Sequence, residues 1–144
     1  MPKLVMKFGG TSVADLDCIK NAASKVSQEV NNGFDVIVIV SAMSGETNRL
    51  VSLVNGVSKM HDAKEYDAIV SSGENVTAGL MAVTLQEMGV SARSWQGWQV
   101  PLITNSSHSS ARIIKISTDN LEEKFSKAYP HLNLFHGPCI LCHR

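Results

Sequence analysis

The run Lys7-Phe8-Gly9-Gly10-Thr11-Ser12 sets a lysine, two glycines and two hydroxyls directly behind the apolar residues Leu4-Val5-Met6. Glycines without side chains let backbone N–H groups come close to an anion. A helix beginning just beyond them, near Asp15, would aim its unpaired amides and positive dipole end at the same spot. Lys7 adds a mobile point charge able to follow phosphate oxygens as they move. Residues of these types in this order can hold polyphosphate. The order differs from a P-loop, where Gly-Lys-Ser/Thr closes the loop, and from the three spaced glycines of a dinucleotide fingerprint. Taken alone, Lys-x-Gly-Gly also fits a tight strand-to-helix turn with a surface lysine. Thr11 and Ser12 fit either hydroxyl donors or helix caps.

Two other polar stretches offer chemistry: Ser41-Ala42-Met43-Ser44-Gly45-Glu46-Thr47-Asn48 and Ser71-Ser72-Gly73-Glu74. On residue type alone, Glu74 suits a helix start, where negative charge is favourable, and Thr47 suits a cap. Trp95 and Trp98 flank Gln96-Gly97, and an aromatic pair in a strand-rich segment reads as core or interface anchor. His108 lies in a serine-rich loop, expected to be exposed or near the substrate region, with no partner at metal-ligand spacing.

The elements that must position these groups are legible in outline. Lys3 to Phe8 reads as a strand. From about Asp15 to Val30, Ile19, Ala23, Val26 and Val30 recur at helical spacing, and Gly33 suits a left-handed stop. Phe34 to Val40 is apolar except for Asp35, the pattern of a parallel strand covered on both faces. Leu50, Leu53, Val54 and Val57 predict the buried stripe of a second helix. Ala63 to Val70 and Glu74 to Glu87 predict two more. Strands are expected at Ala92 to Gln96, at Gln99 to Ile103 on an edge because of Pro101, and at Ile113 to Ile116. A last helix is expected from Thr118 to about Tyr129. Alternation of strands and helices implies right-handed crossovers and an α/β three-layer αβα sandwich with a mostly parallel sheet. In such sheets ligands gather at the carboxyl ends of strands. The Lys7 to Ser12 turn and the Ser41 to Thr47 loop both fall there.

The string around Lys7, with Phe8 and Thr11-Ser12, resembles the N-terminal signature of aspartate kinases, in the amino-acid kinase superfamily. Ser41 to Asn48 resembles that family's second loop, Ser71 to Glu74 its third, and Ser94-Trp95-Gln96-Gly97-Trp98-Gln99 with Pro101 and Thr104 a further motif. The resemblance covers roughly residues 3–125, with the motifs in the family's order. It implies phosphoryl transfer from ATP to the β-carboxylate of L-aspartate, giving 4-phospho-L-aspartate on the route to lysine, threonine and methionine. It also implies Mg²⁺ with the nucleotide and homo-oligomers among full-length members. Lys7 is then the catalytic lysine, and Lys7, Phe8, Gly9, Gly10, Thr11 and Ser12 bind ATP. Ser41, Thr47 and Glu74 contact aspartate, Glu74 accepting from its ammonium group and Thr47 donating to a carboxylate. No resident metal site is expected.

At 144 residues, 44% hydrophobic and 18% charged, the chain suits one globular domain with a real core. Lys plus Arg number 13 and Asp plus Glu 13, so no net field points to nucleic acid or an anionic membrane. No apolar run reaches the roughly 18 residues of a span, and no signal-peptide stretch opens the chain. Cytoplasm is the expected compartment, and three cysteines fit a reducing one.

The resemblance stops near Lys127. The family continues with an apolar strand and a Gly-Phe-Gln-Gly-type turn; this chain reads Tyr129-Pro130-His131-Leu132-Asn133-Leu134-Phe135-His136-Gly137 and ends at Arg144. The expectation is residues 1–127 as the N-terminal part of an amino-acid kinase domain, then a poorly packed atypical tail over 128–144, from a truncated or frame-shifted product. Segments holding the base and ribose, the rest of the aspartate site and the regulatory ACT domains are then missing. Two other readings stay open: a non-catalytic fragment or association subunit, and a kinase for another acid such as glutamate. Cys139-Ile140-Leu141-Cys142-His143 matches a haem-attachment pattern formally and equally invites a zinc reading, for which no residues to orient the ligands are evident. Without an export route, or residues left to enclose a macrocycle, the match is accidental.

Overall fold

The computed structural model describes residues 2–97, 99, 102–108, 110–116 and 132–135, with 116 and 132–135 described by their backbone. Its first strand, β1 (Lys3–Phe8), pairs in parallel with β2 (Asp35–Val40), Leu4 opposite Val36 and Phe8 opposite Val40. Between them lie a 3₁₀ turn, Gly10–Val13, and helix α1 (Leu16–Asn31). Helices α2 (Glu46–Val57), α3 (Ala63–Val70) and α4 (Ser72–Glu87) then lead to β3 (Ser94–Trp95). Strands β4 (Leu102–Thr104) and β5 (Ile113–Ile116) form a separate antiparallel pair. β6 (Leu132–Phe135) enters the parallel sheet between β2 and β3, giving the order β1-β2-β6-β3.

The core follows from two periodicities. Alternate β2 residues Val36, Val38 and Val40 are buried, while Ile19, Ala22, Ala23 and Val26 line one face of α1. Ala78, Met81, Ala82 and Leu85 of α4 complete the cluster. Fully burying a Val, Ile, Leu or Met side chain is worth about 1.5–3 kcal/mol, and that burial fixes which way the strand ends point. Asp15 begins α1 by accepting a 2.8 Å bond from the Cys18 amide, and Gly33 ends it at φ 92°. Thr11 and Ser12 lie one turn earlier, in the 3₁₀ turn, and do not cap this helix.

Three expectations are corrected. β2 is packed by helices on the Val36 face, but Asp35, Ile37 and Ile39 opposite are only half-buried among the described residues. In α2, Leu50 and Val54 are buried whereas Leu53 and Val57 are exposed; periodicity marks a face without saying how far the neighbouring layer extends. The strand expected over Gln99 to Ile103 lies at Leu102–Thr104, outside the parallel sheet. Within the stretch expected as an atypical tail, the Leu132–Phe135 backbone pairs on both sides; the short Leu-Asn-Leu-Phe run between Pro130 and Gly137 carries strand signals of its own. The expected Thr118 to Tyr129 helix, Trp98 and the Cys139 to His143 motif lie outside the described residues. No described helix is long and apolar enough to cross a membrane.

Candidate active site

β1 and β2 end in register, and the Ser41 amide donates to the Phe8 carbonyl at 3.2 Å, so their loops leave side by side. The first loop passes from extended Gly9 into the 3₁₀ turn, where the Ser12 amide donates to the Gly9 carbonyl. Fully buried Val13 pins that turn to the core. In the second loop, Gly45 takes φ 78°, a conformation that suits glycine, and turns the chain into α2. Thr47 thereby falls in the first turn of α2.

Glu74 arrives from a third direction. Ser71 closes α3 and opens α4 with no linker between, and the Ser71 and Ser72 hydroxyls donate back to the Ala68 and Ile69 carbonyls. Glu74 lands in the first turn of α4, only 2% exposed despite being a carboxylic acid. Charged groups are rarely buried so deeply unless partnered, and Glu74 does hold a polar interaction.

These three approaches enclose an open hollow of about 350 Å³ at the carboxyl ends of β1 and β2. Gly10, Thr11, Ser41, Thr47 and Glu74 all line it, five of the nine sequence-predicted site residues, together with Ala42 to Gly45. Hydroxyls, the amino ends of two helical segments and one carboxylate suit a small ligand carrying both an ammonium group and carboxylates. Lys7, Phe8, Gly9 and Ser12 do not line the hollow. Phe8 shares the Val40 side of the sheet and packs on the core. Lys7, one residue earlier on a strand, therefore faces the opposite side, and it is exposed.

Sequence reasoning passed over Gly73, Ala42, Arg49 and Asp67. A Cβ on Gly73 would stand 3.1 Å from the Ala42 Cβ, and one on Gly10 would stand 3.2 Å from the Ala42 carbonyl oxygen. Ala42 is thus clasped between the turn that carries Gly10 and the helix that carries Glu74. Small residues at both contacts were the available signal. Arg49 grips Glu46 through Nε to Oε2 at 2.9 Å and Nη2 to Oε1 at 2.7 Å, and these bonds hold the Glu46 carboxyl below its ordinary 4.5. His108, half-exposed, meets Asp67 of α3 at 3.1 Å and not the hollow. Trp95 is buried with the Arg93 guanidinium 4.7 Å from its ring centre, a structural role as expected. Among the described residues, no group of three or more His, Cys, Asp or Glu could hold a metal ion.

This sheet and hollow define a known class. The model of the amino acid kinase family matches residues 2–139, and the chain belongs to that family. Within it, the chain is similar to aspartokinases: it is 47% identical over 126 residues to the aspartokinase of Rickettsia felis, covering 85% of this chain and 31% of that protein. Aspartate kinase from Synechocystis superposes with a TM-score of 0.72 at 29% identity, over 95% of this chain and 22% of the other. Aspartokinase III from E. coli, solved with aspartate and ADP, has the same fold, with a TM-score of 0.70 over 95% of this chain and 41% of the other. The chain spans about a third of the length of the curated relatives it matches, 31% for R. felis.

Proposed function

We propose that the hollow binds L-aspartate and that the protein transfers the γ-phosphoryl group of ATP to its β-carboxylate, giving 4-phospho-L-aspartate. The observation that carries this reading is buried Glu74 opening onto the same hollow as Ser41 and Thr47, in a chain 47% identical to an aspartokinase. Glu74 accepts hydrogen bonds from the substrate's ammonium group, while Thr47 and Ser41 donate to its carboxylates. An ionised β-carboxylate is already a nucleophile, so the protein's work is to hold two anions in line and offset charge on the migrating group.

The division of the strand ends supports a division of labour. Aspartate occupies the helix side, lined by Thr47 and Glu74. The triphosphate approaches the Gly9-Gly10 turn, whose amides and the Thr11 and Ser12 hydroxyls meet its oxygens. Lys7, exposed on the opposite side, reaches the moving phosphoryl group across the strand end. Magnesium enters as part of the nucleotide substrate, held chiefly by its phosphates.

Isothermal titration of L-aspartate, followed by an ADP-release assay with hydroxylamine trapping of the acyl phosphate, tests the reading. Saturable aspartate binding is expected, with hydroxamate formed from aspartate in preference to glutamate or N-acetylglutamate. Failure to bind aspartate at millimolar concentration, or tighter binding of glutamate, would sink it.

A further inference from the structure

We infer that Arg49 is a positioning residue of the hollow: by gripping both oxygens of Glu46 it keeps a second carboxylate out of an anion-binding site. The inference rests on the reading of the hollow as the aspartate pocket. Gly45 and Thr47, the neighbours of Glu46 on either side, both line the hollow, whereas Glu46 does not. Its carboxylate is turned away along α2, held in a two-pronged contact by a residue one turn on.

What would happen without that grip follows from the local field. Glu46 sits in the first turn of α2, where unpaired amides and the dipole attract negative charge. A substrate carboxylate at Thr47 seeks the same amides. A released Glu46 would compete for them from within the chain and repel the ligand as well. It would also start near the helix turn that carries buried Glu74, since Glu46 Cγ lies 3.4 Å from where a Cβ on Gly73, the residue before Glu74, would be. Two carboxylates at one mouth disfavour a dicarboxylate ligand. Arg49 suits the restraint better than lysine would, since its planar fork fixes direction as well as charge.

Stability is not what this pair supplies. Its side chains are 58% and 29% exposed, and exposed pairs of this spacing contribute little to folding. Effects on ligand binding can therefore be read apart from effects on folding.

The test is titration of L-aspartate into the wild-type chain and into Arg49→Met, Arg49→Lys, Glu46→Gln and the Arg49→Met/Glu46→Gln double variant, with melting curves for each. Arg49→Met is expected to weaken aspartate binding about three- to tenfold at low ionic strength, with the loss shrinking in 0.5 M salt as screening sets in. Arg49→Lys should fall between it and wild type. Glu46→Gln should bind at least as well as wild type, and the double variant should recover wild-type affinity. Equal affinity of Arg49→Met and wild type, or a double variant as weak as Arg49→Met, overturns the inference while leaving the aspartate pocket intact. Weakened binding by Glu46→Gln overturns it too, independently of whether the Arg49 variants fold. A wild-type chain that binds no aspartate overturns the pocket and this inference together.

Discussion

Gly73 and Ala42 meet so closely that a methyl group on Gly73 would lie 3.1 Å from the Ala42 side chain, and 3.4 Å from both Glu46 Cγ and Leu50 Cδ1. Gly73→Ala therefore sets two effects against each other. Overpacking typically costs about 1–3 kcal/mol, while alanine in a helix gains roughly 1 kcal/mol over glycine. Net destabilisation should be small, a few degrees in Tm. Relief of the clash must come from shifting α4 or the Ala42 loop, and both carry site residues. Aspartate affinity should fall about tenfold, well beyond what the melting curve would suggest. Unchanged affinity would show that the contact is passive.

On the other side of Ala42, the obstacle to a methyl group on Gly10 is a backbone oxygen at 3.2 Å, which cannot rotate away as a side chain can. Gly10→Ala should push the 3₁₀ turn off the Ser41 loop. If the glycine turn meets the phosphates as proposed, the expected result is a raised KM for ATP, by about tenfold, with a smaller change for aspartate. Equal effects on both substrates would argue against separate subsites.

How much of this was visible in the residues differs by scale. β1 at Lys3 to Phe8, α3 at Ala63 to Val70 and the buried face of α1 were readable, because period-2 and period-3.6 patterns report local geometry directly. Thr47 and Glu74 become partners only through resemblance; nothing in the 26 intervening residues states that a helix corner will return Glu74 to the β2 loop. The Ala42 clasp was invisible for the same reason, being made by pairs distant in sequence whose only mark is small size. β6 escaped because four residues give too short a pattern to outweigh an unfamiliar context. Leu53 and Val57 were misassigned since burial depends on where the neighbouring elements end, a property of the packed chain.

Asp15 offers a pH test of the helix that follows the phosphate turn. Its carboxylate accepts from the Cys18 amide, and that hydrogen bond lowers its pKa from the ordinary 3.8. A carboxyl depressed on folding stabilises the native state above its unfolded value and loses that contribution as pH falls through the lower folded value. Asp15→Ala should thus lower Tm at neutral pH, and the difference from wild type should shrink as pH falls below 3.8 and through the folded value. A Tm difference that persists unchanged at pH 2 would assign the effect to packing instead of capping.

The opposed orientations of Lys7 and Glu74 yield the sharpest separation. Lys7 is exposed on the side of β1 away from the helices, while Glu74 is buried on the helix side and faces the hollow. If aspartate is held by the carboxylate and the phosphoryl group is met by the lysine, the two substitutions must fail in different ways. Glu74→Gln keeps the shape but removes the charge that receives an ammonium group, so aspartate affinity should fall roughly tenfold to a hundredfold, in line with about 1.5–3 kcal/mol for a charged hydrogen bond. Nucleotide binding should hardly change. Lys7→Ala should leave aspartate binding alone and reduce kcat by roughly a hundredfold or more, as loss of one positioned charge donor does in a transition state. Titration of aspartate and steady-state kinetics on the two variants decide it. Lys7→Ala losing aspartate binding as severely as Glu74→Gln would mean that both side chains serve one pocket, and the proposed split across the strand ends would be wrong.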